Sequence, residues 1–238
     1  MKPSPLRLPL SQLVLAAACG LVSMAALSAA AQVAPDATEV AAYQGLHAAA
    51  HKGDLAKIEK LVAAKAELDT RDGNGRTPIH VATFAKQAGA IRALAKAGAN
   101  INLLDKDRYD GVTIASVADD EETLRVLLAL GASAKHITSR YDGTALIAAA
   151  HLGHEGVVKQ LIAAGTPLDH VNNLHWTAVI ESIVLGNGGP RHQETLRALI
   201  AAGANLQLSD RQGNTPRQLA KSRGYREMVQ MLEQAGAR

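Results

Sequence analysis

Small and apolar residues recur along the chain in a pattern that predicts paired helices. The clearest unit begins at Thr144, and its first segment places such residues two, five and six positions later, at Leu146, Ala149 and Ala150. A glycine follows at the ninth position, where the chain can reverse. The second segment places apolar residues on one face at helical spacing, at Val158, Leu161 and Ile162. Each unit is therefore predicted to be two short helices joined by a glycine turn.

The residues at the predicted helix ends support this interpretation. Thr77 and Thr215 can accept a hydrogen bond from the unpaired N–H groups of a helix start, and each precedes a proline, which suits the first helical position. The second helix of most units ends at a glycine, which adopts left-handed backbone at least cost. These glycines are Gly98, Gly131, Gly165, Gly203 and Gly236, whereas Lys65 takes this place in the first unit.

The unit occurs six times. The equivalents of Thr77 are Gln44, Thr113, Thr144, Thr177 and Thr215, and successive positions are 33, 36, 31, 33 and 38 residues apart. A period near 33 is typical of stacked helical repeats, in which each unit buries its apolar face on the next and none is stable alone.

Residues 39–238 resemble the ankyrin repeat family. The segments GRTPIHVATFA at 75–85 and TALIAAAHLGHEGVVKQLIAAGTPL at 144–168 carry the resemblance most clearly. It implies an all-α solenoid of about six helix-turn-helix repeats with loop fingers. We expect a short linker at 32–38 and repeats at approximately 39–72, 73–105, 106–138, 139–171, 172–210 and 211–238.

The two ends of the array carry residues that suit a terminus. Asp36 and Glu39 are spaced as a capping box before the first helix. The last predicted helix, REMVQMLEQ, places polar residues where a further repeat would dock. These residues are Arg226, Glu227, Gln230, Glu233 and Gln234.

The first 31 residues have the pattern of an export signal. Lys2 and Arg7 precede an uncharged apolar run, and Ala29 and Ala31 are small residues of the kind found before a signal peptidase cleavage site. We expect residues 1–31 to be a signal peptide cleaved after Ala31, and the mature protein to be periplasmic. Two alternatives remain open: an uncleaved membrane anchor, or a scaffold tethered by a lipid on Cys19.

Composition limits the class of partner. The chain is 47% hydrophobic but only 3% aromatic. Without residues 1–31 it keeps 23 basic and 22 acidic residues and no cysteine. A nearly neutral chain has no electrostatic drive toward nucleic acid, and a chain without cysteine cannot use disulfides in an oxidising compartment. We expect a monomer with no cofactor that does not remain on the membrane after cleavage.

Repeats three and five depart from the regular spacing. The loop from Gly98 to Thr113 is three residues longer than the loop from Gly165 to Thr177. Residues 177–203 span 26 positions against 21 for 144–165, so GNGGPRH is predicted to extend the loop between the helices of repeat five. Neutral variation of surface loops and a functional role both remain open.

The resemblance implies that five positions per repeat line one concave face: four, three and one before the threonine, and seven and eight after it. Five of the six aromatic residues in 32–238 fall at these positions. Aromatic and arginine side chains dominate the energy of protein interfaces. We therefore expect a non-catalytic module that binds an unidentified partner protein, with Tyr43, Phe84, Tyr141 and Trp176 as anchors and Arg76 and Arg140 orienting the partner. The full predicted set is Tyr43, His51, Lys52, Arg76, Phe84, Tyr109, Asp120, Glu121, Arg140, Tyr141, His151, Leu152 and Trp176.

Histidine pairs could in principle hold a metal. His47 and His51 are four residues apart, and His151 and His154 are three apart, but no further ligands stand beside them in the sequence. The resemblance instead implies that His47, His80 and His154 bond neighbouring backbone as structural ties.

Other chemistry has weak sequence support. Asp105, Asp107 and Asp110 only partly match a calcium loop. The chain has no nucleophile elbow and no phosphate-binding glycine loop. The alternative to a binding module is a metal- or ligand-binding periplasmic enzyme that uses His175 and His192 near the repeat-five insertion.

Overall fold

The computed structural model describes residues 32–238, and the predicted signal segment, including Cys19, lies outside this range. Within it the chain forms thirteen α-helices, no strand, and one isolated bridge between Thr138 and Gly143. The helices are α1 (Ala37–Ala42), α2 (Gly45–Lys52), α3 (Leu55–Ala63), α4 (Pro78–Phe84), α5 (Ala88–Lys96), α6 (Gly111–Val117), α7 (Glu121–Ala129), α8 (Ala145–Leu152), α9 (Glu155–Ala163), α10 (Ala178–Val184), α11 (Pro190–Ala201), α12 (Pro216–Ser222) and α13 (Arg226–Gln234).

The helices pack as two layers. The inner layer contains α2, α4, α6, α8, α10 and α12, and each of these packs against its neighbours in that order. The outer layer contains α3, α5, α7, α9, α11 and α13, which pack in the same way. The expected all-α stack of helix pairs is confirmed.

Five loops, here called fingers, join the outer helix of one repeat to the inner helix of the next. They are finger 1 (residues 70–77), finger 2 (103–110), finger 3 (136–144), finger 4 (170–177) and finger 5 (208–215). Neighbouring fingers share backbone hydrogen bonds at similar positions near their tips. Lys106 N donates to Asn74 O at 3.0 Å, Ser139 N to Arg108 O at 3.1 Å, and Asn173 N to Tyr141 O at 2.9 Å. The first four fingers are therefore held in register by the backbone.

Most of the predicted helix ends are confirmed, and the predicted cap of repeat three is the exception. The hydroxyls of Thr144 and Thr177 accept the backbone N–H three residues on, at 3.3 and 3.2 Å. Pro78 and Pro216 occupy the first helical positions. The five predicted glycines have positive φ, and Lys65 adopts φ 58° in their place.

Repeat three is regular, and the predicted irregularity is wrong. Helix α6 is capped by Asp110, whose Oδ1 accepts from Thr113 N at 2.8 Å, so Thr113 lies inside the helix and is not its cap. The spacing becomes 33 residues from Thr77 to Asp110 and 34 from Asp110 to Thr144. An aspartate serves as well as a threonine at this position, because both present an oxygen to the free N–H groups.

The core confirms the corrected register. The fifth residue after each cap is fully buried between inner helices and has a small side chain. These residues are Ala49, Ala82, Ala115, Ala149, Ser182 and Ala220, each 0–1% exposed. Small side chains at the contact allow the helices of the inner layer to pack closely.

The extra residues of repeat five are divided between a loop and a helix. Residues 185–189 form the predicted longer loop, and the remaining residues extend α11 to twelve residues, against nine in α9. We call residues 185–192 the insertion. Arg191 Nη2 donates to Asp119 Oδ2 at 2.6 Å and His192 Nε2 to His151 O at 2.9 Å, while Tyr225 OH donates to Gly186 O at 3.0 Å. The insertion therefore ties repeat five to repeats three, four and six.

Both ends of the stack match the expectations. Asp36 and Glu39 form the predicted capping box, which starts α1 at Ala37, within the range expected to be linker. The five polar residues predicted on the last helix are all exposed on α13. Within residues 32–238, no helix is both long and apolar enough to cross a bilayer.

The cap of α6 provides a test of the corrected register. We expect Asp110→Ala to lower the free energy of unfolding by roughly 1–2 kcal/mol, because the N–H of Thr113 loses its acceptor. Urea unfolding followed by circular dichroism measures this. The control is Asp107→Ala, which removes the same charge from an exposed tip and should change stability by less than about 0.5 kcal/mol. Equal effects of the two substitutions would contradict the assignment of the cap.

Candidate functional site

The predicted binding residues lie mainly on one surface, here called the finger face, formed by the fingers and the last turns of the inner helices. Phe84 and Leu152 end α4 and α8, and His51 and Lys52 end α2. Tyr109, Arg140, Tyr141 and Trp176 lie in fingers 2, 3 and 4. All of these side chains are at least partly accessible, and Leu152 is 38% exposed. Their role in binding stays a prediction.

The first repeat contributes an aromatic cluster at one end of this face. Tyr43 lies 5.4 Å from the ring of His47 and 6.5 Å from that of His51. Its hydroxyl donates to Asp72 Oδ2 at 2.7 Å. Burial and this bond to a carboxylate raise the pKa of Tyr43 well above its usual range. The ring is therefore fixed in position and remains uncharged.

Arg76 is not a residue of the finger face, and its predicted role in orienting a partner is wrong. Its side chain is 1% exposed and lies between Asp72, at 2.7 Å, and Glu39, at 2.5 Å. Its Nη1 also donates to Val33 O at 3.0 Å. A buried arginine between two carboxylates is typical of an internal tie. This tie holds α1 and the chain before it against finger 1.

Asp120 and Glu121 also lie elsewhere, because their assignment followed from the misplaced cap of repeat three. Asp120 caps the outer helix α7, accepting from Thr123 N at 3.1 Å. Glu121 lies in the outer layer, where it accepts from Gln160 at 3.2 Å and packs against Gly156 of α9. Neither residue lines the finger face.

Histidines act as the predicted structural ties. His47 Nε2 lies 2.9 Å from Arg76 O, and His80 Nε2 lies 3.1 Å from Tyr109 O. His154 Nδ1 lies 2.8 Å from Ser116 O. Each bond joins adjacent repeats. Burial lowers the pKa of His80, so this histidine stays neutral, with Nδ1 accepting from Thr77 N and Nε2 donating to the next finger.

Most of the residues considered for other chemistry form structural contacts, and His175 is the exception. His192 is 9% exposed and has Asn187 Oδ1 and His151 O within 3.1 Å of its two ring nitrogens, whereas His175 lies at the tip of finger 4. Asp105 accepts from the backbone of its own finger, and Asp110 caps α6. Within residues 32–238, no group of three or more histidine, cysteine or acidic side chains is arranged to hold a metal.

Two open depressions of about 450 and 380 Å³ lie at the N-terminal edge of the stack. Both border Gln44, His47 and Thr70, which belong to the first repeat within the described residues 32–238. They are therefore features of the open end of the stack.

Sequence reasoning missed a buried carboxyl group that contacts the base of finger 4. Glu181, in the first turns of α10, is 5% exposed, and Asn172 Nδ2 donates to its Oε1 at 2.8 Å. Its Oε2 lies 3.6 Å from Nδ1 of His151 on α8, which is longer than a hydrogen bond. Burial raises the pKa of Glu181 from 4.5 to about 8, and the bond from Asn172 offsets part of that rise.

An alignment of the six repeats reveals the unusual residues of this site. Glu181 is the fourth residue after its cap, where the other repeats carry apolar residues: Ala48, Val81, Ile114, Ala148 and Leu219. Asn172 stands where three other fingers carry an aspartate: Asp72, Asp105 and Asp210. The two substitutions occur in the same repeat, and the structure brings them into contact.

His151, which lies beside the other oxygen of Glu181, is uncharged near pH 7. Burial lowers the pKa of His151, and the nearby imidazoles of His192 and His154 lower it further. Its side chain is 26% exposed, and its ring forms no hydrogen bond with any residue of 32–238. The neutral form of the pair is therefore favoured near pH 7, with the proton on Glu181.

Comparison with known proteins gives the family. The family model described as "Ankyrin repeats (3 copies)" matches residues 13–105, 46–137 and 112–210. The chain belongs to the ankyrin repeat family. Ankyrin repeats are protein-interaction modules, and members of the family are in general non-catalytic.

Relatives of similar length share the same architecture. The ankyrin repeat protein YahD of Escherichia coli is 35% identical over 190 residues, which are 79% of this chain and 94% of that protein. A crystal structure of an ankyrin repeat domain from Acinetobacter baumannii is 44% identical, with a TM-score of 0.77, and the match covers 81% of this chain and 98% of that one. The ankyrin repeat domain of Bcl-3 is 25% identical, with a TM-score of 0.73, over 83% of this chain and 88% of that domain. The fold is thus shared by bacterial ankyrin proteins and by Bcl-3.

The buried carboxylate predicts an unusual pH dependence of stability. Because the folded state raises the pKa of Glu181 from 4.5 to about 8, folding takes up a proton between these values, and stability falls as pH rises through this window. We expect wild type to lose more unfolding free energy between pH 6 and pH 8.5 than Glu181→Gln, in which this position cannot ionise. Urea unfolding at both pH values measures the difference. Parallel losses in the two proteins would contradict a carboxyl that is protonated in the fold.

Proposed function

We propose that the protein is exported to the periplasm and holds a partner protein on its finger face. The observation that carries this proposal is the row of five aromatic side chains along that face, one from each of repeats one to five. They are Tyr43, Phe84, Tyr109, Tyr141 and Trp176, and all are half-buried.

Half-burial suits these rings to recognition. The buried part fixes each ring, so little conformational entropy is lost when a partner binds, and the accessible edge offers large apolar contact. The backbone bonds between fingers fix their spacing as well. Exposed Lys52 and Arg140 on the same face add charge that can orient a partner.

The backbone conformation of His175, at the tip of finger 4, supports a role for this side chain in binding a partner. His175 adopts φ 66°, at the position where fingers 1 and 5 carry Gly75 and Gly213 with φ 74° and 79°. A residue other than glycine costs roughly 1 kcal/mol or more in this conformation. Arg108 has the same φ on finger 2, but it forms an ion pair with Asp142 at 2.8 Å. Within residues 32–238 the His175 side chain forms no hydrogen bond, so contacts inside this part of the chain give no reason for an imidazole here.

Photo-crosslinking tests the finger face directly. A photoreactive phenylalanine analogue replaces Tyr141 or Phe84 on this face, and Arg92 or Lys159 on the outer helices α5 and α9 serves as the control. We expect crosslinks to a protein partner in cells from positions 141 and 84 but not from 92 and 159. Crosslinks from the outer positions alone would contradict the proposal.

Export rests on the pattern of residues 1–31, and the mature N-terminus tests it. We expect protein from the periplasmic fraction to begin at Gln32. Protein that begins at Met1, or at a lipid-modified Cys19, would support the membrane anchor or the lipid-tethered scaffold instead.

A further inference from the structure

Glu181 is a carboxyl group that the fold does not need. At the equivalent position Val81, Ile114 and Leu219 are buried at 0%, 1% and 8% exposure, so an apolar side chain completes the core there. Burying a carboxyl group in their place costs free energy, as its raised pKa reflects. Packing alone therefore does not account for Glu181.

The surroundings of Glu181 accommodate the carboxyl group. Asn172 Oδ1 accepts from the backbone N–H groups of Leu174 and Trp176, both at 3.0 Å, as Asp72 does for residues 74 and 76. The amide thus keeps the loop bonds of an aspartate, and its Nδ2 donates to Glu181 at 2.8 Å. An aspartate here would place a second carboxylate against the first.

This carboxyl group lacks a cationic partner. Within residues 32–238, His151 is the one basic group with a nitrogen within 4 Å of its oxygens. Two arginines of repeats five and six are engaged with other groups: Arg191 pairs with Asp119, and Arg223 donates to Val184 O at 3.3 Å. One carboxylate oxygen therefore has no strong donor.

The Oε2 side of the carboxyl group adjoins His151, a residue of the predicted binding set. His151 lies over Oε2, and no hydrogen bond from residues 32–238 holds its ring there. Leu152 follows on the same helix end, and Trp176 follows Asn172 on finger 4. A side chain entering between α8 and finger 4 would displace the His151 ring and reach Oε2.

We propose that Glu181 is the receptor for one basic side chain, lysine or arginine, of the partner protein. The inference rests on the proposed function, because it assigns a chemistry to the partner on the same face. An ammonium or guanidinium group supplies the donor that Oε2 lacks, and a charge-assisted bond in this dry position is strong.

The proposal predicts that binding of the partner releases a proton from Glu181. A cation binds the carboxylate and not the carboxylic acid, so a proton must leave Glu181 on binding. With a pKa of about 8, the ionised fraction falls about tenfold for each pH unit below that value. Affinity should therefore rise with pH up to about 8. The groups that face this site are the imidazole of His151 from α8 and the amide of Asn172, and His192 and His154 in turn lie near His151.

Selection from a random peptide library displayed on phage supplies defined ligands for the test. Peptides are selected on the wild-type protein, and each basic residue of a selected peptide is replaced by norleucine. We expect one replacement to weaken binding to wild type at least tenfold and binding to Glu181→Gln less than twofold. Glutamine resembles the protonated acid and should fold normally, which circular dichroism checks. Glu121→Gln, the same change on the outer layer, should behave as wild type.

Calorimetry in two buffers of different ionisation enthalpy supplies the second readout. At pH 7 we expect release of close to one proton per peptide from wild type and none from Glu181→Gln. Equal loss of affinity in both proteins, no proton release, or no selected peptide that depends on Glu181 would overturn the inference.

The same peptides separate the two proposals. If Tyr141→Ala and Trp176→Ala weaken binding but Glu181→Gln does not, this inference fails and the finger face stands. If neither aromatic substitution matters, the proposed function itself fails.

Discussion

The structure depends on the burial of each inner helix between its neighbours. A unit of two short helices has too little apolar surface to fold alone, so stability comes from the contacts between units. The small residues at the fifth position after each cap allow close approach, and histidines and finger backbones add hydrogen bonds across the same interfaces. A defect in one repeat is therefore felt by its neighbours, and the end repeats need special caps. At the N-terminal end Arg76 provides this, since it joins Glu39 of α1 to Asp72 of finger 1.

The same constraint leaves the finger face free to vary. Stacking fixes the inner helices and the finger backbones, while several side chains at the finger tips and at the last turns of the inner helices, such as Arg140, Leu152 and His175, stay exposed. Repeat five uses this freedom most. Its insertion ties it to three other repeats through Arg191, His192 and the contact of Tyr225 with Gly186, and it alone carries the Glu181–Asn172 pair. We interpret the insertion as a brace that stiffens the part of the stack where the buried carboxyl group lies.

Sequence patterns predicted the fold well because the same pattern of caps, apolar positions and glycines occurs in six repeats. The glycine turns, threonine caps and apolar spacing agreed among the other units, so the misaligned unit did not change the predicted fold. The error in repeat three shows the limit of the pattern. A threonine happened to lie three residues after the true cap, Asp110, and the choice of the familiar residue moved Asp120 and Glu121 onto the wrong layer. The prediction for Arg76 was wrong for another reason. Its position relative to the cap was right, but its side chain is buried between Glu39 and Asp72, and the contact with Glu39 is visible only in the structure. Glu181 could have been found, because a single ionisable residue in an otherwise apolar column is visible once the repeats are aligned.

The central claim is that a rigid stack presents its finger face to a protein. Hydrogen exchange measured on the protein alone and with a bound partner or selected peptide tests this most directly, because it reports on every repeat at once. The account predicts slower exchange at residues 139–143 and 172–176 and at the ends of α8 and α10, with no change in the outer helices α5, α7 and α9. Slower exchange confined to those outer helices would contradict it.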